Sequence, residues 1–147
     1  MTVPAKILRL AVTAAVTVLL SSGIASAGTD LDKLKADGFT LVPADQLKTA
    51  TIDTTSCGVT HDGTSVCTYY KADGTMSALA AGMFGNTGKW SVNDKGQFCT
   101  EWEGPGWTSA CGHVYRHADQ PMTFSVNEEG AISFTTEEKM KGNPKEL

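Results

Sequence analysis

Gly88-Lys-Trp-Ser-Val-Asn-Asp-Lys-Gly-Gln-Phe-Cys-Thr-Glu-Trp-Glu-Gly-Pro-Gly-Trp-Thr-Ser-Ala-Cys-Gly-His-Val-Tyr-Arg-His117 holds all three tryptophans of the chain and two of its four cysteines. Two turn signals, Asn93-Asp94-Lys95-Gly96 and Gly104-Pro105-Gly106, divide it into three strands rich in β-formers. With Pro105 at the centre of the second turn, Cys99 falls opposite Cys111, Glu101 opposite Ser109 and Glu103 opposite Trp107. Opposed residues in an antiparallel pair have Cα atoms roughly 4.5–5.5 Å apart. A disulfide needs about 4.4–6.8 Å. The turn chemistry and the cysteine spacing therefore predict one hairpin closed by one disulfide.

The same arithmetic applies at Cys57 and Cys67. His61-Asp62-Gly63 reads as a three-residue loop with Gly63 in the left-handed position. Centring on Asp62 sets Gly58 against Val66 and Cys57 against Cys67. Four cysteines allow three connectivities; the two local ones, Cys57–Cys67 and Cys99–Cys111, are expected.

Outward from these hairpins the strand pattern continues. Ser65–Tyr70 and Thr75–Ala81 flank the turn Ala72-Asp73-Gly74. Gln120-Pro121 interrupts the sheet. Met122, Phe124 and Val126 then alternate with Thr123 and Ser125, and Ile132 and Phe134 are expected to repeat that alternation after Glu128-Glu129-Gly130. Glu137–Leu147 is charged and reads as a cap or a trailing segment. Gly28–Thr51 is the helical region, with Leu31 and Leu34 three apart, a stop at Gly38, and a second short helix beginning near Pro43 and anchored by Leu47 and Leu41. That second helix is expected on the open end of the sheet. Seven to eight short strands with tight turns and no βαβ alternation predict a mainly β fold: an antiparallel meander, as a curved sheet or a small barrel, with one or two short N-terminal helices.

Residues 1–27 read as a signal peptide. Lys6 and Arg9 begin it, Leu10–Leu20 is nearly all apolar, and Ala25-Ser26-Ala27 has the small-x-small form of a cleavage site. The apolar run is shorter than the roughly 20 residues a spanning helix needs. The expected mature chain, 28–147, is one disulfide-containing β domain in the periplasm or secreted, not membrane-spanning. Its ten basic and sixteen acidic residues leave a net charge of −6. With no basic stripe it is a poor candidate for nucleic acid. Export supplies the oxidising compartment that the disulfides require.

The runs Asp73-Gly74-Thr75, Gly88-Lys89-Trp90-Ser91-Val92, Gly96-Gln97-Phe98-Cys99, Trp102 and Cys111 resemble a family of small exported alphaproteobacterial proteins known only as a domain of unknown function. The resemblance covers roughly Ser65–Arg116, with a weaker echo at Gly142-Asn143-Pro144. It implies a periplasmic antiparallel β domain with a bond between Cys99 and Cys111. It implies no activity, cofactor or catalytic residue, and the Cys57–Cys67 pair is not part of its pattern.

No catalytic or cofactor-binding motif is present: no nucleophile elbow, phosphate loop, metalloprotease helix or Cys-x-x-Cys pair. His113 and His117 share a strand face but would lie about 13 Å apart at roughly 3.3 Å per residue, too far to ligate one ion unless a bulge intervenes and His61 or Asp119 joins them. Glu101 and Glu103 share a face, and nothing around them suggests the burial that acid–base chemistry requires. No cofactor and no metal are expected. The residues that folding does not need are Trp107, Tyr115, His113, His117, Glu101 and Glu103, placed by the hairpin register on the disulfide face. Phe98, Thr100, Trp102, Ala110 and Val114 form the opposite, core face. The six are expected to form a face for a small ligand or an envelope partner, which describes a non-catalytic binding module. A structural envelope protein or a protein inhibitor is the alternative. A hydrolase using Glu101 or His113 is a third reading.

Overall fold

A computed structural model describes residues 28–147. The expected signal peptide lies outside the described residues. The chain runs α1 (Asp30–Ala36), β1 (Thr40–Leu41), α2 (Ala44–Thr51), β2 (Thr54–Thr60), β3 (Ser65–Tyr70), β4 (Thr75–Ala80), β5 (Asn86–Val92), β6 (Phe98–Trp102), β7 (Ala110–Arg116), β8 (Thr123–Val126) and β9 (Ile132–Lys141). All pairings are antiparallel, in the order β1-β7-β6-β5-β4-β3-β2-β9-β8, and β8 returns to β7. Strands β2–β9 are thus a closed eight-stranded barrel, with β1 as an extra strand. Closure leaves no long free edge.

Both hairpin registers follow the turn chemistry. Cys57 pairs with Cys67 and Gly58 with Val66, while Thr60 N–H donates to the Thr64 carbonyl and Gly63 takes φ +83°. Cys99 pairs with Cys111, Phe98 with Gly112 and Thr100 with Ala110. Both disulfides form, each with a Cα–Cα distance of 4.1 Å. They lie on the outer wall. Two disulfides fit an oxidising, extracytoplasmic location. Among the described residues, no helix is long and apolar enough to cross a membrane.

The register also sorts the walls. Trp90 opposes Thr100, which opposes Ala110, and Val114 opposes Ser125, which opposes Phe134. These residues face inward. Their neighbours Cys99, Tyr115, Phe124 and Val126 face outward. Because Phe124 and Val126 are apolar, the outer wall needs a cover there. Helix α1 and the turn after it supply it: Leu34 of the helix and Phe39 beyond it bury Tyr115 and Val126, with Leu31, Phe124 and Ile132 packed around them. The helix starts with a capping box in which Thr29 and Asp32 exchange hydrogen bonds. It is tied to the β8–β9 turn through Leu31 N–H to the Gly130 carbonyl.

Helix α2 closes one end, as expected of a helix on the open end of a sheet. β7 pairs with β6 through Ala110–Gly112 only; beyond that β1 takes its edge, Leu41 opposite Tyr115, and Val42 N–H donates to the Val114 carbonyl. β1 therefore enters where β6 and β7 part, and it delivers α2 to the opening. Leu47 is buried there with Val42 and Val114, whereas Leu41 is 48% exposed and anchors nothing. Pro43 is the N-cap of α2, not its first residue.

Two expectations near the C-terminus are corrected. Glu137–Lys141 continues β9 along β2 to the pairing Thr54–Lys141, so only residues 142–147 trail. Charge is compatible with this strand because Glu137, Glu138, Lys139 and Lys141 are all exposed to solvent. Two register shifts in β9 then overturn simple alternation. One lies at the Ser125/Val126 step, where Ser125 faces Phe134 but Val126 faces Ile132. It sends Phe134 inward and Ile132 outward. The other lies at the Cys57/Gly58 step, where Cys57 faces Glu138 but Gly58 faces Thr136. Each inserts one residue into β9 and reverses the faces beyond it. Gly58 allows the second: a β-carbon there would collide with the Thr135 carbonyl oxygen.

Candidate functional site: the barrel lumen

Inward-facing side chains do not fill this barrel evenly. On the β3–β6 side they are large. Tyr70, Met76 and Trp90 are buried together, with Val92, Phe98 and Trp102 against them. The Tyr70 and Trp90 rings meet edge-on at 6.1 Å, and Trp90 stacks on Phe98 at 6.0 Å. The Trp90 indole N–H donates to the Lys71 carbonyl. On the other side, the inward positions of β2 and β7–β9 are mostly small: Ser56, Ala110, Gly112, Thr123, Ser125 and Thr136. Eight strands give an interior that side chains can just fill, or that can hold one small ligand. With one half of the wall built from small residues, a cavity of about 220 Å³ remains.

The cavity has an aromatic end and a hydroxyl-bearing flank. Strands alternate in direction, so the loops after β2, β4, β6 and β8 share one end, opposite α2. There the loop between β6 and β7 folds Trp107 back across the mouth. Its ring lies 4.6 Å from that of Trp102, and both pack on the cluster of Val66, Ala78 and Ala80 with Phe134. At the α2 end the floor is Leu47 and Thr51, with the Thr51 hydroxyl satisfied by the Leu47 carbonyl. Along the flank lie Ser56, Thr68, Thr100, Thr123, Ser125 and Thr136. Tyr70 belongs to the lining too. Burial pushes its phenol up to about 12, so it stays protonated.

One charged side chain belongs to the lining. Lys139 faces the lumen opposite Ser56. Lys139 is exposed to solvent at the rim of the lining, and protein packed along its side chain lowers the ammonium pKa through lost hydration. The ion pairs among the described residues are Lys33–Asp30, Lys95–Glu128 and Lys141–Asp53, and none involves Lys139.

The six residues expected on one face do not form one site, although His113 and Tyr115 line the same second cavity. Trp107 leaves the disulfide face: pairing stops at Thr100–Ala110, the Trp102 N–H is taken by the Ser109 hydroxyl, and the freed segment carries the indole over the lumen. Tyr115 does face outward, but α1 buries it to 8% exposure. His113 is half-buried in a second cavity of about 240 Å³ between α1 and two turns, lined also by Lys95, Gln97, Asn127 and Glu128. Its Nε2 lies 3.1 Å from the Lys95 carbonyl. His117 packs against Phe39, and its Nδ1 accepts from Asp119 N–H. Glu101 stands exposed opposite Lys89, and Glu103 accepts from the Thr87 hydroxyl. Among the described residues no group of three His, Cys, Asp or Glu side chains converges as a metal site.

Two features escaped sequence reading. The hydroxyl flank was visible as the Thr123/Ser125 face, but an apolar face usually marks the core. Here the apolar face is the outer wall beneath α1. Lys139 was hidden by the extra residue at the Cys57/Gly58 step, since unbroken alternation from Thr136 would turn Glu138 inward instead.

No family model, curated protein or solved structure matches the chain.

Proposed function

We propose that the protein is an exported, periplasmic, non-catalytic binding module that holds one small, largely apolar ligand inside the barrel. The observation that carries this reading is the lumen: about 220 Å³ of space ringed by Phe98, Trp102, Trp107 and Phe134, with hydroxyls along one flank. Packed interiors leave few voids larger than a water molecule. Space of this size costs contacts unless something occupies it. At about 30 Å³ per water it equals roughly seven waters, below the about 300 Å³ at which pockets for drug-sized ligands begin. A compact molecule, one ring or a short chain, suits it. Convergent carboxylate and histidine groups would favour a hydrolase; among the described residues neither lines the lumen. Small eight-stranded barrels that hold ligands support the reading by analogy of fold.

Filling the lumen tests it. Thr100→Phe points a ring into the cavity. Small apolar probes are to be titrated against wild type and variant, with tryptophan fluorescence as the readout. Saturable quenching in the wild type that disappears in a still-folded Thr100→Phe is the expected result. Equal binding by both proteins, or by neither, overturns the lumen as the site.

A further inference from the structure

The lumen's single cation narrows the ligand, on the reading that the lumen is a binding site. Among the described residues the protein pairs Lys141 with Asp53 and Lys95 with Glu128 on its surface. Lys139, exposed yet part of the lumen lining opposite Ser56, has no carboxylate. The chain is rich in acid, and β9 itself carries Glu137 and Glu138. Neither lines the lumen: the register shift places Lys139 opposite Ser56 and leaves Glu138 opposite Cys57, on the outer wall. The lumen thus combines an aromatic end at Trp102 and Trp107, a hydroxyl flank that includes Ser56 and Thr136, and one unpaired positive charge.

We infer that the lumen selects a small anionic amphiphile, a compact apolar body bearing one carboxylate-like group, with Lys139 as the partner of the anion. The apolar body lies against Phe98, Trp102, Trp107 and Phe134. The anion takes the ammonium of Lys139 and hydroxyl donors from the flank. Hydrogen bonds between charged partners are about twice as strong as neutral ones, so the charge sets selectivity and the aromatic end supplies most of the affinity. The competing account is a lysine that merely lays its methylenes along an apolar wall while its head reaches water. Methionine preserves most of that stem without the charge, so Lys139→Met separates the two.

Octanoate, octanol and octylammonium are matched probes of one chain length and three head charges. Each is titrated by calorimetry and tryptophan fluorescence into wild type, Lys139→Met and Lys139→Gln, with near-ultraviolet circular dichroism to establish that each variant is folded. The wild type is expected to bind octanoate about tenfold more tightly than octanol and octylammonium more weakly than either. Both variants should bind octanol as the wild type does and lose the preference for octanoate. If wild type binds octanol and octanoate equally, or if the variants keep the preference, the assignment to Lys139 fails while the lumen reading stands. If no probe binds and Thr100→Phe changes nothing, both fail together.

Discussion

The indole rings of Trp102 and Trp107 lie 4.6 Å apart at 47° across one mouth of the barrel. One comes from β6 and the other from the loop that follows it, so the contact is a local fold-back. It depends on Ser109, whose hydroxyl takes the Trp102 N–H that the ladder no longer uses. Trp107→Ala should remove this lid without dismantling the barrel. Since Trp107 is only half-buried, the loss should fall below the about 3–5 kcal/mol typical of fully buried Trp truncations. Near-ultraviolet circular dichroism should lose the signal of the coupled indoles while far-ultraviolet spectra stay unchanged. Global unfolding would mean that Trp107 is a core residue of the barrel.

Gly58 predicts a larger effect from a smaller change. A β-carbon at this position meets the Thr135 carbonyl oxygen and the backbone of Thr136. Backbone on the facing strand cannot swing away as a side chain can. Gly58→Ala is therefore expected to cost more than the about 1 kcal/mol of an average substitution, and to weaken β2–β9 pairing first. Hydrogen exchange should show loss of protection in β9 before β4 or β5. Wild-type protection throughout would contradict the close approach.

The disulfide between Cys99 and Cys111 spans 12 positions. A loop of about this size carries roughly 3 kcal/mol in the chain-entropy account. Cys99→Ser, combined with Cys111→Ser to avoid a stray thiol, should lower the melting temperature more than Lys145→Ser. Loss of equal size in the two proteins would show that the hairpin holds without its bond.

Four aspartates predict how stability responds to acid. Asp32, Asp53, Asp62 and Asp73 are held below their ordinary pKa of 3.8, chiefly by hydrogen bonds from Thr29, Tyr69, Thr60 and Thr75 respectively. A carboxylate with a depressed folded pKa contributes stability that is complete above its unfolded value and lost as pH falls through the folded one. The melting temperature should therefore be insensitive to these groups near neutrality and fall as pH drops below about 3.8. Asp32, Asp62 and Asp73 are exposed and Asp53 is half-buried, so the effect should shrink in high salt, least at Asp53. In Tyr69→Phe, the Asp53 carboxyl should titrate closer to its ordinary value by carbon-detected NMR. An unchanged titration would place the cause elsewhere.

At the opposite mouth, Leu47 of α2 is 4% exposed beneath Val42 and Val114, and Arg116 donates to the Gln46 amide oxygen at 2.7 Å. Leu47→Ala should cost about 2–5 kcal/mol, as buried leucines do. Arg116→Ala should cost much less, because its partner is neutral and exposed. Urea denaturation of both variants tests the order.

The hairpins were legible because everything that sets them is local. Gly63 and Gly104-Pro105-Gly106 mark the turns, and each pair of cysteines reports its register from within a dozen residues. Closure of the barrel was open between two outcomes, since no local signal says that β9 will reach β2. The register shifts at Gly58 and Val126 were invisible for the same reason. An extra residue appears only against its partner strand. Those two steps decide that Phe134 and Lys139 point inward, so the chemistry of the lumen depended on what sequence alone could not order. Trp107 was misplaced by extending the ladder past Ala110, where the loop instead lets go.

The β2–β9 seam joins strands about 80 residues apart and is crossed by neither disulfide. Each covalent bond secures a hairpin that forms locally, whereas the step that encloses the lumen rests on non-covalent pairing of high contact order. Such pairing is slow, because chain entropy is lost before the contacts form. Ser56 and Lys139 come from opposite sides of that seam. Oxidised hairpins can therefore assemble without a binding site existing at all, and the capacity to bind is acquired only at the closing event.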